Sequence, residues 1–358
     1  MSTALGARLV PVPVVDVRDG GPLRHATQSC VRARALRDEC IRWLPRVAAG
    51  LLPAIDSVTR RWLLQSRSSY AEEVKAIAAR LDFSGVWFLN GCYQWGCTAL
   101  SREQDEVPWI ARTLDWPFPG LGRHVEIARM QGPAGEFYNV TWPGYVGVLT
   151  ASAPGRFAAC INQAPMWRRT SHPWLRPYDI ALNARHTWRI SHVPPDHLLR
   201  DVFETCATFA EAKHRLETTP LARPVIYTLT GCQPDERCVI ERTQDGFSSR
   251  THDTCAANDW LLSLPRWEPR VAAEAFLTRT GEEAAENSRT RRDQLAAWPG
   301  IFGTEFDWVT PPVLNSQTRI AVEMCPANGV LRVKGYEQSE ALELPAPVTL
   351  SEISARAN

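Results

Sequence analysis

Apolar residues recur along the chain at two spacings, and the change between them separates a helical front from a strand-rich remainder. Ile41, Leu44, Val47, Leu51, Leu52, Ile55, Val58, Trp62 and Leu63 fall mostly at steps of three and four, the repeat of a core-facing helix. Pro45 and Pro53 predict breaks in that run, because proline lacks the amide proton an interior turn needs. Residues 71–81, AEEVKAIAARL, predict a further helix, and 11–18, PVPVVDVR, an opening strand with alternating apolar positions. The stretch 84–95 reads as a strand or turn.

Beyond residue 97 the period shortens to two. Strands are predicted at 125–130, 137–142, 146–153 and 156–163, joined by Gly and Pro turns. Helices follow at 194–206 and 209–218, with Thr208 as N-cap of the second, then strands at 225–231 and 237–243. A charged helix, GEEAAENSRTRRDQLA, occupies 281–296, and strands at 309–324 and 330–336 close the chain. Trp167, Trp174 and Trp188 punctuate 165–190, a segment that reads as a substrate-lining loop or as packing.

Composition narrows the class. Of the 358 residues 44% are hydrophobic and 22% charged, as in a globular protein. A net charge of +1 gives no argument for a nucleic-acid partner. Lys occurs only at 75, 213 and 334, so the basic set is almost all Arg, which points to GC-rich coding and a bacterial source. No basic-then-apolar leader opens the chain and no apolar run reaches a membrane span of roughly 20 residues, so a cytoplasmic protein is expected. The ten cysteines show no zinc-type spacing, and neither a metal nor a cofactor is implied.

The chemistry concentrates at 90–118, NGCYQWGCTALSREQDEVPWIARTLDWPF. Two short strands joined by a polar loop, Ser101 to Glu106, would bring Arg112 and Asp115 back beside Cys97. A buried cysteine is ordinarily a small hydrophobe, and it becomes a nucleophile only with a base or a positive charge nearby. No His lies close in sequence. If the bond after Gly96 is cut, the freed α-amine of Cys97, with a pKa of roughly 7.7–8, can serve as the base for its own side chain. Gly96 leaves that bond sterically open.

These residues resemble the acid ceramidase and N-acylethanolamine-hydrolysing acid amidase family, relatives of bile-salt hydrolases and penicillin V acylases. The resemblance rests on Asn90, Tyr93-Gln94, Cys97-Thr98-Ala99 and Ala111-Arg112-Thr113-Leu114-Asp115-Trp116. Thr219-Pro220-Leu221, Leu229-Thr230-Gly231, Cys238-Val239-Ile240-Glu241-Arg242 and Ala257-Asn258-Asp259-Trp260 agree in order. Gln94 and Ala99 depart from the family's acidic residue and Ser.

The resemblance implies an α+β fold, the Ntn-hydrolase αββα sandwich of two antiparallel sheets. Residues 1–96 would be a helical segment retained after cleavage, and 97–358 the catalytic part. Cys97 would be the nucleophile, Arg112 would lower its pKa, and Asp115 would orient the α-amine. Asn258, with a backbone N–H near Asn162 or Gln163, would hold the oxyanion. Arg289 is the counterpart chosen for a family arginine, with Arg291 and Arg292 as competing choices. The substrate would be a small acyl amide, fatty-acyl by the nearest resemblance. The Arg- and Trp-bearing helix at 41–63 would offer peripheral membrane contact. Acyl transfer at the same site, an uncut binding protein, and a cysteine protease with a distant His are the alternatives.

Overall fold

The computed structural model describes residues 9–45, 49–93, 95–252, 254–262, 264–271, 276–339 and 342–355. Gln94 lies outside them. Strand β1 (Val14–Asp16) is followed by helices that include α1 (Gly21–Gln28), α2 (Cys30–Trp43), α3 (Leu52–Gln65), α4 (Ala71–Leu81) and α5 (Val86–Gly91). The hairpin β2 (Gly96–Gln104) and β3 (Val107–Asp115) comes next. It leads into β4 (Glu126–Gly132), β5 (Gly135–Thr141), β6 (Thr150–Ala153), β7 (Phe157–Gln163) and β8 (Met166–Trp167). Helices α6 (Arg176–Trp188), α7 (Pro195–Thr205) and α8 (Phe209–Thr218) precede β9 (Val225–Thr230), β10 (Arg237–Arg242), β11 (Phe247–Arg250), β12 (Cys255–Ala256) and β13 (Trp267–Glu268). Helix α9 (Gly281–Ala297) and β14 (Thr318–Cys325), β15 (Val330–Glu337) and β16 (Ala346–Ser354) complete the chain.

Two sheets stack face to face. One has eight strands in the order β1-β4-β5-β6-β7-β9-β10-β11, antiparallel except that β1 runs parallel to β4. The other is antiparallel throughout, in the order β12-β2-β3-β14-β15-β16. β2 and β3 lie against β7 and β9 across the interface, and the main core fills the space between them. Helices α7 and α8 cover the outer face of the larger sheet, and α9 packs on β2 and β12. This is the αββα sandwich of the Ntn hydrolases. The described residues contain no helix long and apolar enough to cross a membrane.

Three local readings are corrected. The 84–95 stretch holds a helix, because Asp56 accepts from the amides of Gly85 at 2.6 Å and Phe88 at 2.8 Å and so caps α5 from another helix. Helix α3 buries Leu52, Asp56, Trp62 and Leu63, whereas Ile55 and Val58 face outward. The break expected at Pro53 is present, since residues 49–50 are helical, Leu51 is a turn, and Pro53 sits in the first turn of the new helix, where the missing donor costs nothing. The closing strand begins at Thr318 rather than 309, since Pro311 and Pro312 cannot feed a ladder.

The hairpin that carries the site is pinned at its open end. Gly96 pairs with Asp115, Cys97 with Leu114 and Ala99 with Arg112. Trp95 and Trp116 flank the pairing residues, both fully buried with ring centroids 5.6 Å apart, and Trp116 meets Trp142 at 5.8 Å. Edge-to-face contacts of this kind add roughly 0.5–1.5 kcal/mol each beyond burial, which fixes the register where it matters.

Candidate active site

Cys97 lies fully buried at the start of β2, with its Sγ 3.4 Å from the Ile161 carbonyl oxygen of β7. Arg112, two positions away across the hairpin, donates from Nη2 to that sulfur at 3.1 Å and to Ile161 O at 2.8 Å, and from Nη1 to Thr150 Oγ1 at 2.7 Å. The Arg112 side chain is fully buried, and among the described residues no carboxylate pairs with it. Such a charge is costly to bury alone, and the anion within its reach is the thiolate Cys97 would form.

In the intact chain that thiolate is not favoured. Burial pushes the Cys97 thiol up to about 12, with Asp115 and Cys160 adding to the rise and Arg112 and Arg291 opposing it. The expected effect of Arg112 therefore has the right sign but is outweighed by desolvation. No His is among the described hydrogen-bond partners of the sulfur, which removes support from the His-dependent protease reading.

Asn258 follows the two-residue strand β12, which pairs with β2. Its Oδ1 accepts from the Cys97 backbone nitrogen at 3.0 Å, and its Nδ2 donates to the Gln163 carbonyl at 2.9 Å. Asn162 braces the same loop, donating from Nδ2 to the carbonyls of Ala256 and Ala257 at 3.1 and 3.0 Å. Asp115 accepts from Thr318 Oγ1 and Asn315 Nδ2, both at 2.9 Å. In the uncut chain the Cys97 nitrogen thus points to Asn258 rather than to Asp115.

Arg289 is a correction. It sits on the exposed face of α9, paired with Glu286 at 2.7 Å, because helical rotation carries it away from β2. Arg291, buried on the opposite face, reaches the site. Its Nη1 donates to Cys97 O and Thr98 Oγ1, both at 2.8 Å, and its Nη2 to Asn258 Oδ1 at 3.0 Å, with Asp115 Oδ2 3.8 Å from Nη1. Arg292 pairs with Asp259 at 2.9 Å. The buried positions Ala284, Ser288, Arg291 and Leu295 recur at four, three and four residues, a stripe that could have singled out Arg291 in the sequence. Arg270 also went unforeseen. Its Nη1 is so close to Gly96 that a Cβ on that glycine would meet it at 3.0 Å, and its Nη2 donates to Gln317 Oε1 at 2.7 Å.

The sequence is 31% identical over 278 residues to the N-acylethanolamine-hydrolyzing acid amidase of Oryctolagus cuniculus, a match covering 67% of this chain and 75% of that one. The chain belongs to the N-acylethanolamine-hydrolysing acid amidase and acid ceramidase family. The mouse amidase (Mus musculus) is 25% identical over 298 residues, 77% of each chain, and the human acid ceramidase (Homo sapiens) 26% over 189, covering 50% of this chain and 42% of the other. No protein-family model matches the sequence. Among solved structures, a Caenorhabditis elegans ortholog of the amidase superposes with a TM-score of 0.44 at 18% identity over 64% of this chain and 93% of that one. A Clostridium perfringens conjugated bile acid hydrolase does so at 0.40 and 10% identity, over 72% and 92%.

As a member of this amidase–ceramidase family, the chain is an Ntn hydrolase acting on carbon–nitrogen bonds. Beside Ile161, Gln163 and Trp95 opens a cleft of about 500 Å³, walled by Tyr93, Met166, Trp167, Trp267 and, from α6, Asn183, His186 and Thr187. Of the three tryptophans in 165–190, Trp167 lines this cleft, whereas Trp174 is exposed and stacks on His172. A smaller apolar cavity between α2, α5 and the end of β3 adjoins the cleft at Phe88 and Cys92, and its lining includes Leu36, Leu52, Trp116 and Phe118.

Proposed function

We propose that the chain is an autocatalytically activated cysteine amidohydrolase that cleaves linear N-acyl amides through a Cys97 thioester, with fatty-acyl amides as its substrate class. The observation that carries this reading is the buried Arg112 guanidinium held 3.1 Å from the Cys97 sulfur without a carboxylate of its own. The apolar cavity adjoining the cleft suits an alkyl chain.

The thiol is sealed from solvent in the intact chain, so its first accessible acyl group is its own. Activation adds the Cys97 sulfur to the Gly96 carbonyl carbon. The Gly96–Cys97 bond then breaks as the nitrogen takes the proton released by the thiol, leaving the Cys97 sulfur acylated by Gly96. Water hydrolyses that thioester to a Gly96 carboxylate and a free Cys97 amine. In turnover the amine takes the thiol proton, the sulfur attacks the substrate carbonyl, and the protonated amine delivers the proton to the departing amine. Arg112 supplies the counter-charge for sulfur, and Asn258, whose Oδ1 holds the Cys97 nitrogen and whose Nδ2 is bound to the Gln163 carbonyl in the uncut chain, would turn its amide to the oxyanion in turnover. Water releases the acid.

Intact-mass measurement and N-terminal sequencing of purified protein test the activation step. Two fragments meeting between Gly96 and Cys97 are expected, with Cys97→Ala remaining whole and inactive. An active wild type that stays in one piece would sink the scheme. Acyl transfer is distinguished by adding a second amine and looking for a new amide in place of free acid.

A further inference from the structure

The cleft beside the site has a charge character of its own. Its described lining includes Arg169, Arg223 and His186 and no Asp or Glu. Arg169 is exposed at the rim, its guanidinium carbon 4.8 Å from the Trp167 ring centroid. Arg223 is half-buried just ahead of β9, with its guanidinium carbon 4.4 Å from the Tyr93 ring centroid and 5.1 Å from that of Trp62. Its Nε is buried without a hydrogen-bond partner, and among the described residues no ion pair reaches the group.

Three other buried arginines of this fold are answered by carboxylates. Arg168 is paired with Asp179 and Glu268 at 2.6 Å, Arg176 with Glu268 at 2.5 Å, and Arg200 with Glu204 at 2.7 Å. The acid whose charge Arg223 feels, Asp196, has both oxygens committed to the hydroxyls of Tyr93 and Tyr145. Burial holds the Arg223 pKa below the ordinary guanidinium value, as expected of a cation short of a counter-charge. The cation–π contact with Tyr93 restrains the guanidinium without engaging its N–H groups, which remain for a planar oxyanion.

We propose that Arg223 anchors a carboxylate on the amine portion of the substrate, so that the enzyme prefers N-acyl amino acids to uncharged amides with the same acyl chain. This rests on the amidase reading above. With the alkyl chain in the apolar cavity reached at Phe88 and Cys92, the remainder of the amide is left to the cationic wall of the cleft. A charge-assisted bidentate contact in such a partly desolvated site corresponds to roughly ten- to hundredfold in affinity.

The test uses the processed full-length protein and two readouts. Hydrolysis of N-lauroylglycine is compared with that of N-lauroylglycinamide, which differs only in the charge. Calorimetry then compares binding of their ketone isosteres, in which CH2 replaces NH and no hydrolysis occurs. The wild type is expected to favour the carboxylate at least about tenfold in kcat/KM and in affinity. Arg223→Gln should bring both ratios toward one, and Arg223→Lys should restore part of the preference. Equal handling of the two ligands by the wild type, or a preference intact in Arg223→Gln, would overturn the proposal. If neither amide is hydrolysed, the amidase reading fails, and the calorimetric ratio still decides the role of Arg223.

Discussion

The backbone nitrogen of Cys97 donates to Asn258 Oδ1 at 3.0 Å, across 161 positions of sequence. The atom held there is the one that cleavage would turn into the catalytic amine, so the asparagine is placed to orient it before it is free. Asn258→Ala removes that acceptor together with the Nδ2 donor, which is bound to the Gln163 carbonyl in the uncut chain and is free to serve the oxyanion only once that bond is given up. A fall in kcat of roughly 10²–10³-fold is expected from the loss of one oxyanion donor. Steady-state kinetics on cleaved protein checks this, and a change confined to KM would assign Asn258 to substrate binding alone.

Arg289 and Arg291 give a paired prediction. Arg291→Met removes donors from Cys97 O, Thr98 Oγ1 and Asn258 Oδ1 and leaves two buried acceptors unanswered, at about 1–3 kcal/mol each. Slow or absent cleavage and a lower melting temperature should result. Arg289→Met breaks only an exposed i,i+3 pair with Glu286 and should leave cleavage and melting within error of the wild type. Gel analysis of the two variants side by side gives the answer.

Gly96→Ala should slow activation. The added Cβ would meet Arg270 Nη1 at 3.0 Å and Asp115 Cβ at 3.3 Å, tighter than ordinary contact on both sides. Accommodation must move one of these groups or tilt the residue whose carbonyl is attacked. Freshly purified Gly96→Ala is expected to hold a larger uncut fraction, and wild-type cleavage kinetics would show that the close fit has no part in activation.

Alkaline stability follows from the buried thiols. Burial pushes Cys97, Cys238 and Cys255 each up to about 12. Unfolded thiols titrate near about 8.5, so the folded state binds these protons more tightly. Their contribution is fully present below that value and is lost as pH rises toward 12. The urea midpoint should fall between about pH 8 and about pH 10.5, and Cys238→Ala should flatten the fall. A midpoint rising over this range would contradict the assignment.

The sequence carries Cys97, Arg112 and Asp115 because a hairpin is a local structure, and fifteen- and eighteen-residue separations are within its reach. It does not advertise how tight the turn is. The strands extend to Gln104 and from Val107, joined by Asp105 and Glu106 alone, both at positive φ (53° and 63°) and neither a glycine. Asn258 stands out only through the resemblance. Arg270 and the Asp56 cap of α5 are set by contacts between distant segments, for which no periodicity exists. Strand β16 is an edge whose residues alternate weakly between exposed and half-buried, so it lacks the pattern that marks a buried strand. Arg291 differs from these, because the buried stripe Ala284, Ser288, Arg291 and Leu295 is a local helical repeat and so is legible in the sequence.

The first few described residues are woven into both layers. Val10 exchanges backbone hydrogen bonds with Val348 and Leu350, Val12 N donates to Ser351 Oγ at 2.8 Å, and β1 then pairs with β4 in the opposite sheet. A chain cut after Gly96 would therefore be a pair of interleaved polypeptides with a single cooperative core. Its unfolding would be unimolecular and insensitive to concentration, but its reassembly would be a second-order encounter between two incomplete halves. Such a molecule would be assembled once, as a single chain, and an unfolded copy in dilute solution would regain its form far more slowly than the uncut chain.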